Sequence, residues 1–296
     1  MNEIVKYENS LNRLNFKGFS QTNMNMFMAL CSQMKDQKDR KIVLSFDKIK
    51  ELTAYDKKKK GIDDFVEDLE HTNEQLMKVN CKIITGNKRT SFILFPTFET
   101  DLDTETLTVY VNPDLMWLLN EMKAYTTFEL AEFVDLKSKY SKNLYRLLKQ
   151  WRTVGKYTFN DIPELRKLMD VPESYSNKHF MSKCISAAVK EISELDRSFV
   201  DFKCEPVYAQ KRGRPLEKIV FTWKAEKVKK PPHTDGPVQA KTKSDNSPKK
   251  SNKFKNFDER SYSERFYELQ MKRAGILGLT PEEEQELKEL SRRSNT

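Results

Sequence analysis

Between Ser174 and Trp223 the chain gathers side chains suited to meeting a polyanion. Phe180, Cys184, Ala188, Ile192 and Leu195 recur at helical spacing and predict an inward face, while His179, Ser182, Lys183, Ser186 and Lys190, with Lys178 beside them, fall opposite. Two runs rich in β-branched and aromatic residues follow, 199–208 and 217–223, separated by Lys211-Arg212-Gly213-Arg214-Pro215, and predict a hairpin with a cationic tip. Lysine and arginine neutralise phosphates and donate to guanine edges, and a serine hydroxyl can bond either base or backbone. A polar-faced helix followed by a basic-tipped hairpin is how a winged helix meets DNA, helix in the major groove and wing against phosphates or in the minor groove. Gly213 between two arginines allows close backbone approach to a narrow, electronegative groove. An amphipathic helix and hairpin with ordinary solvated charges would also fit this segment alone; the upstream chain weighs against that.

Upstream, after an extended lead-in over 5–16, Ser20 is placed to cap a helix with Met24, Phe27, Met28, Leu30, Cys31 and Met34 crowded on one side. A strand at 42–46, a short helix from Asp47 packed through Ile49 and Leu52, and a longer helix with Ile62, Phe65, Leu69, Leu76 and Met77 inward come next. A hairpin (81–85 and 90–98, turning at 86–89), a strand at 106–111 and a helix opened by Asn112-Pro113 complete the first half. The second half reads as a long helix over 127–151, a strand at 157–159, a short helix over 160–170, then the basic helix and hairpin. Ser45-Phe46-Asp47-Lys48-Ile49-Lys50-Glu51-Leu52 is echoed by Thr158-Phe159-Asn160-Asp161-Ile162-Pro163-Glu164-Leu165 at the same place in the order. The expected fold is α+β: two tandem winged-helix domains, 1–124 and 125–225, followed by a disordered basic linker over 226–257 and a short helical tail over 258–296.

The copies differ in charge. The first candidate recognition helix carries Asp63, Asp64, Glu67, Asp68 and Glu70, which repel phosphate. Its domain is expected to make protein contacts, with secondary DNA contacts from Lys57, Lys58, Lys59 and Lys60, or from Lys88 and Arg89 at its own wing. A solvated loop explains the lysine run equally well.

The chain has 296 residues and a formal net charge of +9, in keeping with a polyanionic partner. Cys31, Cys81, Cys184 and Cys204 lie far apart, without a metal-type pair or disulfide framework, and read as small buried residues in a reducing compartment. The first ten residues hold no apolar leader core, and no apolar run is long enough to span a bilayer, so a cytoplasmic protein is expected. There is no GxxxxGK[ST] phosphate loop, and His71, His179 and His233 are scattered, so neither an ATP-driven nor a metal-dependent DNA-cutting reading is supported. Asp101, Asp103 and Glu105 read as a loop between strands. The expectation is a DNA-binding protein that is not an enzyme and needs no metal or cofactor.

Leu136-Lys137-Ser138-Lys139-Tyr140, continued by Asn143-Leu144-Tyr145-Arg146-Leu147-Leu148-Lys149-Gln150, resembles the LKSKY-x-x-x-LY-x-LL-x-Q segment of iteron-binding plasmid replication initiators. The resemblance extends through Phe180, Ala187–Ile192, the wing and Ile219-Val220-Phe221, and more loosely through Asn15-Phe16 and residues 44–52. It implies a first winged helix chiefly for dimer formation and a second for the main contacts with double-stranded origin repeats. It further implies monomers that start replication, dimers that repress their own gene, and two host partners, the replication initiator and the replicative helicase. By position the recognition helix begins around His179-Phe180; where relatives often carry several arginines, this chain has Met181, Ser182 and Lys183, implying fewer phosphate contacts there and more from the wing. In the helix over 136–151, Leu136, Tyr140, Leu144, Leu147 and Trp151 are expected to pack, and Lys139, Lys142, Arg146 and Lys149 to be solvated or to touch a nucleic-acid backbone. Two other readings stay open on these residues: a winged-helix transcriptional repressor without a replication role, and an adaptor whose acidic first domain and tail assemble proteins.

Overall fold

The computed structural model describes residues 3–35, 41–55, 61–85, 88–120, 122, 124–195, 198–227 and 285. The expected linker and helical tail therefore lie outside the described residues, apart from Glu226, Lys227 and Gln285, as do Lys57 to Lys60. One compact unit comprises Met1–Ile83 with Arg89–Glu226, and a second comprises Ile84–Lys88 with Lys227–Thr296.

The first unit opens with strand β1 (Ile4–Glu8), a 3-10 turn (Asn9–Arg13) and helix α1 (Gln21–Met34). Ser20 caps α1 as its sequence predicts: its hydroxyl accepts from Asn23 N at 3.1 Å, and the Asn23 side chain accepts from Ser20 N at 2.8 Å. The helix is not apolar on one side only. Met24, Met26, Phe27, Met28, Ala29, Leu30, Cys31 and Met34 are all buried, which makes α1 a central helix rather than a surface one. It holds its neighbours through polar side chains: Asn23 donates to Thr72 Oγ1 at 2.9 Å and Asn25 to the Thr53 carbonyl at 3.0 Å.

Around it, β2 (Lys41–Ser45), α2 (Phe46–Thr53), α3 (Ile62–Met77), β3 (Asn80–Thr85), β4 (Lys88–Ile93), β5 (Thr97–Asp101) and β6 (Thr106–Tyr110) build the first winged helix. Its three-stranded sheet has the order β2-β6-β5, all antiparallel, and β3 with β4 forms a separate ribbon. The single strand expected over 90–98 is split because Pro96, lacking an N–H, interrupts the ladder. The helix expected after Asn112 is one 3-10 segment, Pro113–Leu118. Ile62 and Met77, expected inward on α3, are exposed at its two ends, whereas Phe65, Leu69 and Leu76 are buried.

Next come β7 (Tyr125–Glu129), α4 (Leu130–Asp135) and α5 (Lys139–Lys149), and the second winged helix continues with β8 (Lys156–Phe159) and α6 (Ile162–Leu168). The recognition helix follows as α7 (Asn177–His179), a π-helical stretch (Phe180–Ser186) and α8 (Ala187–Ser193), and then come β9 (Lys203–Tyr208) and β10 (Leu216–Thr222). The long helix expected over 127–151 is thus a strand and two helices. Thr126 and Thr127 sit in β7, which pairs with β1 in the register Ile4↔Glu129 to Glu8↔Tyr125, and extended backbone at Leu136 and Ser138 separates α4 from α5. The sheet order β8-β10-β9 repeats β2-β6-β5. The sequence echo has a common structural cause: Phe46, Ile49 and Leu52 are buried in one copy and Phe159, Ile162 and Leu165 in the other. Each helix is capped from within the echo, Lys48 N donating to Ser45 Oγ and Glu164 N to Asp161 Oδ1.

Candidate nucleic-acid interface

Placement of the recognition helix begins with its own cap. His179 N donates to Ser176 Oγ at 3.3 Å, and Phe180, Cys184, Ile185, Ala188 and Ile192 bury the inward side, with Leu195 partly buried. Beneath its first turn the Arg166 guanidinium lies 4.8 Å from the Phe180 ring centroid and donates to the Tyr175 carbonyl. At the other end Glu191 accepts from the backbone N–H groups of Lys137 and Ser138 and from the Ser141 hydroxyl, which fastens α8 to the start of α5 and places a carboxylate at that helix's amino end. Burial pushes the Cys184 thiol up, so it serves as packing.

Lys178, His179, Ser182, Lys183, Ser186 and Lys190 are all exposed. Lys183 Nζ lies 5.5 Å from the Tyr175 ring centroid and the His179 ring meets Tyr175 edge-on at 5.9 Å, so two of the polar side chains rest on one aromatic at the foot of the helix. The wing residues Lys211, Arg212 and Arg214 are exposed too, at the tip between β9 and β10. That tip closes through Arg214 N donating to the Lys211 carbonyl at 2.9 Å, with Gly213 at φ +81° and Arg214 at φ +38°. Gly213 occupies the turn position that needs positive φ, and a methyl there would meet no neighbouring atom, so backbone conformation alone accounts for the glycine. The basic helix and the basic tip therefore belong to one winged helix, with both sets of cations free to solvent.

The first winged helix has the same parts with the opposite charge. On α3, Asp63, Asp64, Glu67 and Glu70 are exposed, and Asp68 is half-buried, accepting from the Tyr55 hydroxyl at 2.8 Å. Sheet topology corrects the expected wing. The hairpin corresponding to β9–β10 is β5–β6, whose tip carries Asp101, Asp103 and Glu105, all exposed; Lys88 and Arg89 start the strand of the extra ribbon instead, with side chains outside the described set. Asp101 Oδ1 accepts from the backbone N–H groups of Asp103 and Thr104, which holds its carboxyl below the usual range and explains the loop without a bound ion. Among the described residues no three His, Cys, Asp or Glu side chains gather to hold a metal, and no helix is long and apolar enough to cross a membrane.

The cations of α5 overturn their expected role. Lys142, Arg146 and Lys149 are buried, and Lys139 alone of the four is itself partly exposed, paired with Asp170 at 2.8 Å. Arg146 donates to the carbonyls of Asn12 at 2.7 Å and Leu14 at 2.9 Å and stacks 4.6 Å from the Phe16 ring centroid. Lys142 donates to Asn25 Oδ1 at 2.7 Å and to the Phe133 carbonyl at 2.5 Å, closing the free carbonyl end of α4. Burial pulls Lys142 down to about 7 and Arg146 to about 10. Lys149 pairs with Glu226 at 2.6 Å, at the point where the chain leaves the second winged helix. These side chains join the segment before α1, and α1 itself, to α4 and α5. Nothing in the helical spacing distinguishes them from a solvated face, because the partners Asn12, Leu14, Asn25 and Glu226 lie 77 to 134 residues away.

The same residues fall inside two family matches. Residues 4–149 match the family model described as Initiator Replication protein, WH1, and residues 161–223 the model described as Initiator Rep protein, WH2. The chain belongs to the initiator replication protein family. A probable replication protein of Bifidobacterium longum (strain NCC 2705) is 34% identical to this initiator over 246 residues, covering 82% of the chain and 80% of the relative. Among solved structures, the Pi initiator protein in complex with iteron DNA superimposes with a TM-score of 0.56 over 77% of this initiator and 99% of that chain, at 14% identity, a likeness of fold.

Proposed function

We propose that this initiator binds directly repeated double-stranded origin DNA, the iterons, through its second winged helix to start plasmid replication. The observation that carries this reading is the contrast between the two copies of one fold: exposed cations on both the helix and the wing of the second, exposed carboxylates on both in the first. Lys183 donates to guanine O6 or N7, with His179, Ser182 and Ser186 beside it, while Lys178, Lys190, Lys211, Arg212 and Arg214 neutralise phosphates. The binding of iteron DNA by the Pi initiator, which shares the fold, supports the same substrate class.

The acidic first winged helix, in a domain we place at 1–124 against 125–225 for the second, serves protein contacts: self-association into dimers that repress the gene, and the host replication initiator and helicase. Lys57 to Lys60, Lys88 and Arg89 add secondary backbone contacts. The protein works in the bacterial cytoplasm as a binding protein without catalysis of its own.

Binding of fluorescent duplexes by the full chain tests the division of labour. Lys183→Ala should weaken the cognate repeat by roughly tenfold and random DNA little. Arg212→Ala should weaken both and reduce the slope of log affinity against log salt by about 0.9. Equal losses for both variants on both DNAs would contradict these roles.

A further inference from the structure

The π-helical stretch rearranges which side chains the recognition helix offers. With i→i+5 bonding, a turn takes more than four residues, so consecutive residues share a side more closely than in an α-helix. The burial pattern is compatible with this, as it is with an α-helix: Cys184 and Ile185 are both buried, and the adjacent pairs Ser182-Lys183 and Ser186-Ala187 are both exposed. Ala187, which follows the π-helical stretch directly, is exposed, beside Ser186 and one turn beyond Lys183. Regular helical spacing with Ala188 inward would put it on the flank. Among residues 178–190 it is the one apolar residue that is fully exposed, Met181 and Val189 being half-buried against the core; the other exposed residues are Lys178, His179, Ser182, Lys183, Ser186 and Lys190.

A small apolar group between hydrogen-bonding neighbours has one complement on a major-groove edge, the 5-methyl of thymine, and alanine is short enough to let the helix come close. We infer that Ala187 reads the 5-methyl group of a thymine in the repeated site, one helical turn along from the base read by Lys183. The inference rests on the reading that this helix enters the major groove, and it adds a base and a residue to that reading.

The experiment is a set of duplexes carrying the repeat that flanks the gene, with each thymine replaced in turn by deoxyuridine, which removes the methyl and nothing else. Wild-type full-length protein should lose roughly three- to tenfold in affinity at one position. Ala187→Gly should bind the all-thymine repeat more weakly by a similar factor and be indifferent to deoxyuridine at that same position. Ala187→Ser, which costs the helix less than glycine, should show the same loss of sensitivity and guards against a folding artefact. If every deoxyuridine penalty is the same in wild type and both variants, Ala187 reads no methyl and the inference falls, with the proposed function intact. If wild-type protein binds the repeat no better than a scrambled duplex, the proposed function falls, and the inference with it.

Discussion

Arg146 carries a charge into the core and is held there by carbonyl oxygens, those of Asn12 and Leu14 together with Asn143 Oδ1. Removing the guanidinium leaves two buried carbonyls without donors, at ~1–3 kcal/mol each. Arg146→Met should therefore lower unfolding free energy by about 2–6 kcal/mol in urea titrations. Arg146→Lys should recover only part, because an ammonium cannot present the planar fork that reaches both carbonyls. A loss under about 0.5 kcal/mol for the methionine variant would mean the bridge contributes nothing. At this scale the sequence was legible for exposed groups: every candidate on the recognition helix and wing tip is exposed as expected. It was misleading for Lys142, Arg146 and Lys149, because burial depends on partners such as Asn12, Leu14 and Asn25, which periodicity within one helix cannot report.

The two winged helices share strand order and buried positions, so what separates them is the charge on equivalent elements. In α3, Glu67 and Glu70 stand where the second copy offers lysines and serines. Were α3 laid against DNA, removing two carboxylates there would raise affinity steeply; at a distance beyond the screening length it changes little. Glu67→Gln combined with Glu70→Gln should leave affinity for the repeat within about twofold, and a tenfold gain would put α3 at the DNA. Elements with local signals were readable: the Ser20 cap, the strand-helix echo and the glycine at the wing tip. The β1–β7 pair was not, since it joins segments more than a hundred residues apart, and Thr126-Thr127 beside a helical pattern was absorbed into the helix. The π-helical turns left no mark in the apolar spacing, because Phe180, Cys184 and Ala188 fit either helix.

In the molecule as a whole, one unit carries both winged helices, and within it β1 pairs with β7, Arg146 holds the segment before α1 and Lys142 bonds Asn25. The LKSKY segment at the start of α5 is fastened to the recognition helix, with Glu191 accepting from its backbone. Leu136 at its start and Lys142 and Arg146 in the helix that follows are buried, while DNA reading is assigned to residues outside it. Family and tandem fold were legible from that signature and the strand-helix echo. The central claim is that origin recognition runs through the second winged helix, and plasmid maintenance tests it most directly. A circle carrying the gene and its flanking DNA, and no other origin, should persist in its natural host with the intact gene. It should be lost with Lys183→Ala and Arg212→Ala together, while the double variant accumulates to normal levels and melts at the normal temperature. Persistence of the circle with that folded double variant would contradict the account.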